Sequence, residues 1–421
     1  METSMKLAKS LLLGSAAGFA AVAGANAADL PAKKAAPVEY VRVCSSHGEG
    51  FFYIPGTETC LRVSGRVRAD YVYGQPFERS VDSNGFRTRG RIQLDARTST
   101  AYGLLRSVVR FEITRNSGTQ LTSTGKITTS PDVNEAFIQF GGLTAGRVTS
   151  FFDNGDLPTE HMGTLRFSDA PDVGLLAYTF TFGNGFSATL SLEDGLDRRN
   201  GTQALAYAGQ RVPDVVGNIK YTGTWGTAQL SAAGHQIRSD NLFVAANGFS
   251  DFPDTEYGFA VTGQVGVNLP MLAPGDAAWI AVTYTHGALG YITGGAGDDF
   301  TDGTLTAPTI DAFFNPATGN VSLSTAWSVA GGLTHYWTPQ IRQSVFGSYA
   351  SFSYSAAANQ AGIPDFNEWR VGTNVFWQPV SGLNIGVEAL YARLDPRGRV
   401  VLPLGSNESS WEGRLRVQRD F

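Results

Sequence analysis

The chain has 421 residues and a formal net charge of −5, long enough for two or three soluble domains or for one large barrel. Its mean hydropathy is slightly negative, which excludes a bundle of apolar membrane helices, and its mild acidity supplies no basic field for nucleic acid, so no nucleic-acid partner is expected. With 50 Gly, 26 Phe and 15 Tyr but 4 Met, the composition suits an all-β chain rich in turns.

The N-terminus reads as an address. Met5 is followed by Lys6 and Lys9, then by a short apolar core from Leu11 to Gly24 and by Ala25-Asn26-Ala27. This is the pattern of a signal peptide, residues 1–27, cleaved after Ala27. The apolar core is shorter than the roughly 20 residues that span a bilayer. Export places the mature chain in an oxidising compartment. Residues 28–59 open with "DLPAKKAAPVEY", a Pro/Ala/Lys stretch expected to lie in the periplasm. The segment carries Cys44, and Cys60 follows it; these are the chain's two cysteines. An even count in an exported chain suggests a disulfide, the alternative being two free thiols. No metal is expected, because only His47 lies nearby and there is no C-x-x-C.

From Cys60 to Phe421 one grammar repeats: segments of about ten residues alternate apolar and polar, with turn residues between them. In "CLRVSGRVRADYVY" the residues Arg62, Arg66, Arg68 and Asp70 share one face, and Val63, Val67 and Tyr71 share the other. In "FRTRGRIQLDART" the residues Arg87, Arg89 and Arg91 alternate with Phe86, Ile92 and Leu94. In "LLRSVVRFEIT" the polar side holds Arg106, Arg110 and Glu112. The alternation continues to the C-terminus and gives about 16 strands. Short links such as Gly183-Asn184-Gly185 alternate with long ones, among them 153–172, 195–214 and 293–322. Short periplasmic turns facing long external loops are what transmembrane barrels show. Aromatic residues near strand ends (Tyr71 and Tyr73, Phe151 and Phe152, Trp279 and Tyr284, Tyr336 and Trp337, Trp369 and Trp377) read as interfacial girdles.

The two faces need different media. No amphipathic helix outside the signal peptide is available to cover the apolar face, and lipid covers it instead. In lipid every backbone group must be paired, so the sheet has to close. A barrel of this size encloses water, where arginine rows stay hydrated. The fold class expected is therefore an all-β transmembrane antiparallel barrel, residues 60–421, in contact with outer-membrane lipid. Arg66, Arg68, Arg87, Arg89, Arg91, Arg106 and Arg110 are expected to line the pore.

"GFFYIPGTETCLRVSGRVRADY", "DVNEAFIQFGGLTAGRVTSFFD" and the terminal "GRLRVQRDF" resemble the general porins of alphaproteobacterial outer membranes, as does "ADLPAKKAAPVEYVRVC". The resemblance implies a homotrimer of 16-stranded barrels in the outer membrane of a Gram-negative bacterium, passing small hydrophilic solutes and ions. It also implies that the third long loop, 153–172, folds into the lumen. Its acidic residues Asp153, Asp156, Glu160, Asp169 and Asp172 would then face the arginines across an eyelet. The loop lacks the "PEFGG" element of enterobacterial porins, so constriction residues do not carry over from those. The final Phe421 would serve as the signal read by the barrel-assembly machinery. A substrate-specific channel is the alternative, and lumenal aromatics would favour it. No enzyme and no cofactor are expected: the five histidines (47, 161, 235, 286 and 335) are scattered, and no nucleophile elbow or phosphate loop is present.

Overall fold

In a computed structural model the residues described are 42–76, 79–118, 121–122, 125–201, 204–245, 248–294, 309–397 and 409–421. The signal peptide and most of the Pro/Ala/Lys segment lie outside them. The chain from Cys44 to Phe421 is one closed antiparallel barrel of 16 strands. In chain order these are β1 (Cys60–Gly74), β2 (Asn84–Thr100), β3 (Gly103–Ser117), β4 (Ile127–Phe140), β5 (Leu143–Thr149), β6 (Asp172–Gly183), β7 (Phe186–Glu193) and β8 (Asp214–Gly223). They continue with β9 (Gly226–Ile237), β10 (Glu256–Asn268), β11 (Ala277–His286), β12 (Thr325–Thr338), β13 (Ile341–Ser353), β14 (Asp365–Val380), β15 (Leu383–Arg397) and β16 (Ser409–Asp420). Each strand pairs with its neighbours in sequence, and β16 returns to β1 with Arg66 opposite Asp420 and Gly74 opposite Glu412. No described helix is long and apolar enough to cross a membrane.

Alternation decides which way each side chain points. Phe86, Ile92, Phe111, Ile113, Leu176, Leu230 and Val387 stand exposed on the outer surface, where lipid is their solvent. The next residues after most of them, Arg87, Gln93, Glu112, Thr114, Ser231 and Glu388, are polar and point inward. A one-residue slip would exchange the two sets, so the register is fixed by the cost of putting arginine in hydrocarbon. Gly183-Asn184-Gly185 makes the expected tight turn, with positive φ at all three residues (84°, 50° and 85°).

The barrel closes on its last residue. Gly65 N–H donates to Phe421 O (2.8 Å), and Phe421 N–H donates to Gly65 O (3.0 Å). The Phe421 ring lies over Gly65, where a Cβ would come within 2.5 Å of it. At the start of β1, Cys44 and Cys60 form a disulfide with Cα atoms 6.0 Å apart. The loop that it closes carries a short strand, Phe52–Tyr53, paired with Leu61 and Cys60. Phe51 is buried beneath the inward guanidinium groups of Arg62 and Arg97, at 5.1 and 4.7 Å. The disulfide loop is thus stitched to the base of the first strands.

The girdle reading needs correction. Tyr71, Tyr73, Tyr284, Trp337 and Trp377 are exposed outside, but Phe152 and Trp279 are buried within the barrel. Trp279 sits on the inward parity of β11 and packs with Leu165, Phe167, Phe346 and Leu390. The alternation read as continuous along the chain breaks within "AWIAVTYTHGALGY". β11 stops at His286, Gly287 takes φ 65°, and Gly290–Thr293 forms one helical turn.

Candidate functional site

The arginines form a grid whose rows are set by strand register. At one level Asp420, Arg66, Arg91 and Glu112 lie side by side across β16, β1, β2 and β3. One step along are Gln418, Arg68, Arg89 and Thr114; one further are Arg416, Asp70, Arg87 and Asn116. Neighbours in a row have Cβ atoms about 5 Å apart. Each guanidinium is held by its Nε. Arg66 donates to Asp420 (2.6 Å), Arg68 to Gln418 (2.8 Å), Arg87 to Asn116 (3.0 Å) and Arg89 to Thr114 (2.9 Å). Arg91 pairs with Glu112, and Arg89 reaches the same carboxylate at 3.4 Å. Arg110 pairs with Glu135 and donates to Gln93 (2.8 Å). Arg106 and Arg97 share Asp95, at 3.0 and 2.8 Å. All seven arginines singled out in the sequence lie on the inward parity, and the strands also bring Arg414 and Arg416 to the same wall. Those two were missed because their strand is the last in sequence, and only closure places it beside the first.

The segment after β5 folds into the lumen, and Glu193 starts the turn. This last residue of β7 accepts from Ser150 Oγ (2.6 Å) and from Phe151 N–H (3.0 Å), pulling the chain off the wall. Asn154 N–H then donates to Gln264 (2.7 Å), and Phe151 O accepts from Asn218 (2.6 Å). On the far side the N–H groups of Met162 and Gly163 donate to Glu388 (2.7 and 2.6 Å). Arg414 donates to Met162 O (2.6 Å), Arg370 to Thr164 O (3.0 Å), and Arg166 bonds Glu368 (3.1 Å). The segment therefore crosses from β8–β10 to β13–β16 and is bonded at both ends. Leu165 and Phe167 bury against Trp279 and Phe346 beneath it.

Its acidic residues are placed differently from one another. Glu160 pairs with Arg342 of β13 (3.3 Å), an arginine that sequence reading missed. Asp156 pairs with Lys220 of β8 (2.7 Å); partial burial opposes its charge, but the Lys220 contact outweighs this and lowers its pKa. Asp169 is half-exposed, 3.7 Å from His161. His161 hydrogen-bonds Gly163 O through Nδ1 (2.7 Å) and packs among Phe167, Trp279 and Phe346. Two expected positions are corrected. Asp172 is not on the inward segment; it opens β6 and accepts from Asn134 and Thr149 (both 3.0 Å). Asp153 borders no open water. It is 6% exposed, and its Oδ2 accepts from Arg198 (3.2 Å) and Ser168 (3.0 Å).

Arg198 lies in the 3-10 turn Gly195–Arg198 of the next long loop and is wholly buried. It also donates to Gly290 O (3.4 Å) and stacks on Tyr291 (4.4 Å). Three loops thus meet at one guanidinium. Asp311 ties the later two, accepting from Asn200 N–H (2.6 Å) and Leu289 N–H (2.6 Å). The sequence placed 195–214 and 293–322 outside the barrel; their described portions include the buried groups Arg198, Asn200 and Asp311.

Between wall and inward segment a cleft remains, lined by Arg66, Arg68, Arg342, Arg416, Glu160 and His161. Arg66, Arg68 and Arg416 lie on one side of it, and Glu160, paired with Arg342, lies on the other.

A family model described as the porin subfamily matches residues 29–413. Porin Omp2b of Brucella abortus is 32% identical, the alignment covering 98% of this chain and 99% of that one. Omp2b of Brucella suis is equally similar, at 32% identity and 98% and 99% coverage. Among solved structures, the outer membrane channel DcaP of Acinetobacter baumannii superposes with TM-score 0.65 at 15% identity, over 88% of this chain and 99% of that one. Salmonella typhi OmpF gives TM-score 0.51 at 12% identity, over 86% and 98%.

Proposed function

Since the chain belongs to the porin subfamily, we propose that solutes cross it through the cleft between the arginine wall of β16–β3 and the tip of the inward segment at Glu160. The protein is an outer-membrane porin, a passive water-filled pore. The observation that carries the eyelet reading is the lining of that cleft: Arg66, Arg68 and Arg416 on one side, and Glu160 with its partner Arg342 on the other. Opposed charges across a narrow aqueous passage create a transverse field that orients dipolar solutes and disfavours apolar ones. The excess of arginine favours anions there. Inward Trp279, Phe346 and Phe376 are all under 9% exposed, which argues against an aromatic track for one chosen substrate. Assembly as a homotrimer, cleavage after Ala27, and recognition of Phe421 by the barrel-assembly machinery belong to the same reading. It is supported by family membership and by the pairing of Phe421 with Gly65.

The test is reversal potential in planar bilayers under a salt gradient. The triple variant Arg66→Gln/Arg68→Gln/Arg416→Gln, which removes three cations lining the cleft, should shift it toward cations. An unchanged potential would remove this wall from selectivity.

A further inference from the structure

The rows of the arginine wall are not equivalent. In the row Asp420–Arg66–Arg91–Glu112, two cations are flanked by two carboxylates. In the row Gln418–Arg68–Arg89–Thr114, two cations stand directly opposite each other and no carboxylate is present. In the next row Asp70 lies between Arg416 and Arg87 and is held by Arg416 (2.7 Å). The middle row is therefore the uncompensated one. Among the described residues the one carboxylate that either of its arginines reaches is Glu112, 3.4 Å from Arg89 and already bonded by Arg91. Among the described residues Arg68 has no ion pair; its Nε donates to the neutral Gln418.

Gln418 and Thr114 do something specific to these guanidinium groups. Each takes the Nε–H, at 2.8 and 2.9 Å, which fixes the plane of the group. Among the described residues no acceptor bonds either terminal nitrogen of Arg68, and one terminal nitrogen of Arg89 is likewise unbonded. The Cβ atoms of Arg68 and Arg89 are about 5 Å apart, so the two like charges repel unless an anion screens them. Arg66, Arg342 and Arg416 line the same cleft as Arg68. A planar carboxylate fills one fork; a tetrahedral oxyanion with two charges offers acceptors to both at once.

We propose that Arg68 and Arg89, oriented by Gln418 and Thr114, form a binding site for the phosphate group, either as free phosphate or carried on a small metabolite. The inference deepens the pore reading and rests on it: a solute carrying phosphate would pause at mid-height on its way through.

The experiment is calorimetric titration of the purified barrel in detergent at pH 8, with inorganic phosphate in one arm, glucose 6-phosphate in a second and acetate in a third. Phosphate should bind saturably in the millimolar range and acetate should not; equal binding of both phosphate compounds locates recognition in the phosphate group, whereas binding of inorganic phosphate alone restricts the site to the free ion. Arg68→Gln should weaken binding at least tenfold, and Arg68→Lys should fall between, because it keeps the charge and loses the fork. Arg393→Gln changes an exposed arginine on the outward parity of β15 and should bind as the parent does. Binding equal in the parent and in Arg68→Gln, or none in the parent, overturns the site. The paired readout is conductance. Phosphate should reduce the chloride current of the parent with the same half-saturation; absence of any conductance steps would instead defeat the pore reading, while the titration still decides the site.

Discussion

At the scale of residues, a charge in this barrel takes its role from its neighbours in the register. Arg91 and Arg110 are neutralised in place by Glu112 and Glu135, whereas Arg68 faces water with an amide for company. Asp153 shows the reverse situation. One buried guanidinium, Arg198, stands beside two carboxylates, Asp153 and Glu193, and Asp153 Oδ1 is buried without a partner. Burial pushes Asp153 up to about 6 from its usual 3.8, the attraction of Arg198 only partly offsetting it. Because the folded value is the higher one, the native state binds the extra proton between those limits. The contribution is whole below the unfolded value and is lost as pH rises through about 6. Thermal unfolding in detergent should therefore move to higher temperature from pH 7 to pH 5, a gain of about 1 kcal/mol over that range and of roughly 3 kcal/mol once the unfolded value is passed. Asp153→Asn, which cannot titrate, should flatten that dependence; an identical pH slope in the variant would show that the proton is held elsewhere.

At the scale of elements, the inward segment is positioned by groups on strands far away in sequence. Glu193 pulls it off the wall, Glu388 receives its far end, and Arg198 clamps Asp153 to the outer loops. Replacing Arg198 by Met leaves Asp153 and Glu193 enclosed without their cation, a change that typically costs about 3–5 kcal/mol. The segment should then loosen before the barrel does, seen as noisy single-channel current with a larger mean conductance; a quiet channel of parental conductance would exclude the clamp. The disulfide loop is a separate element. Its removal in Cys44→Ser/Cys60→Ser should lower stability by about 3 kcal/mol on the chain-entropy account. Only Phe52 and Tyr53 of this loop join the sheet, so the barrel should still close, and protease sensitivity should appear within residues 45–59 of the variant and not of the parent.

At the scale of the whole molecule, closure is the event that makes the protein work. It pairs β16 with β1, seats Phe421 on Gly65, and brings Arg414 and Arg416 beside Arg66 and Arg68. A side chain at position 65 would displace the terminal ring, so Gly65→Val should slow assembly and reduce the heat-modifiable folded band on gels; an undiminished band would mean that the ring's seat is dispensable. The strands were legible in the sequence because alternation is local: Arg87, Arg89 and Arg91 against Phe86, Ile92 and Leu94 already state which face meets lipid. The burial of Trp279 was not legible, since an aromatic near a strand end looks the same whether it meets headgroups or the underside of a loop. Nor was the fate of Asp153, which a loop rich in acids offered as one pore charge among five. By itself the sequence determined the architecture, the medium on each side of the wall and the family, because periodicity and composition act between near neighbours along the chain. Only the tertiary structure decided which charges remain uncompensated, because ion pairing depends on strands and loops that the chain brings together across up to 354 residues, as from Arg66 to Asp420.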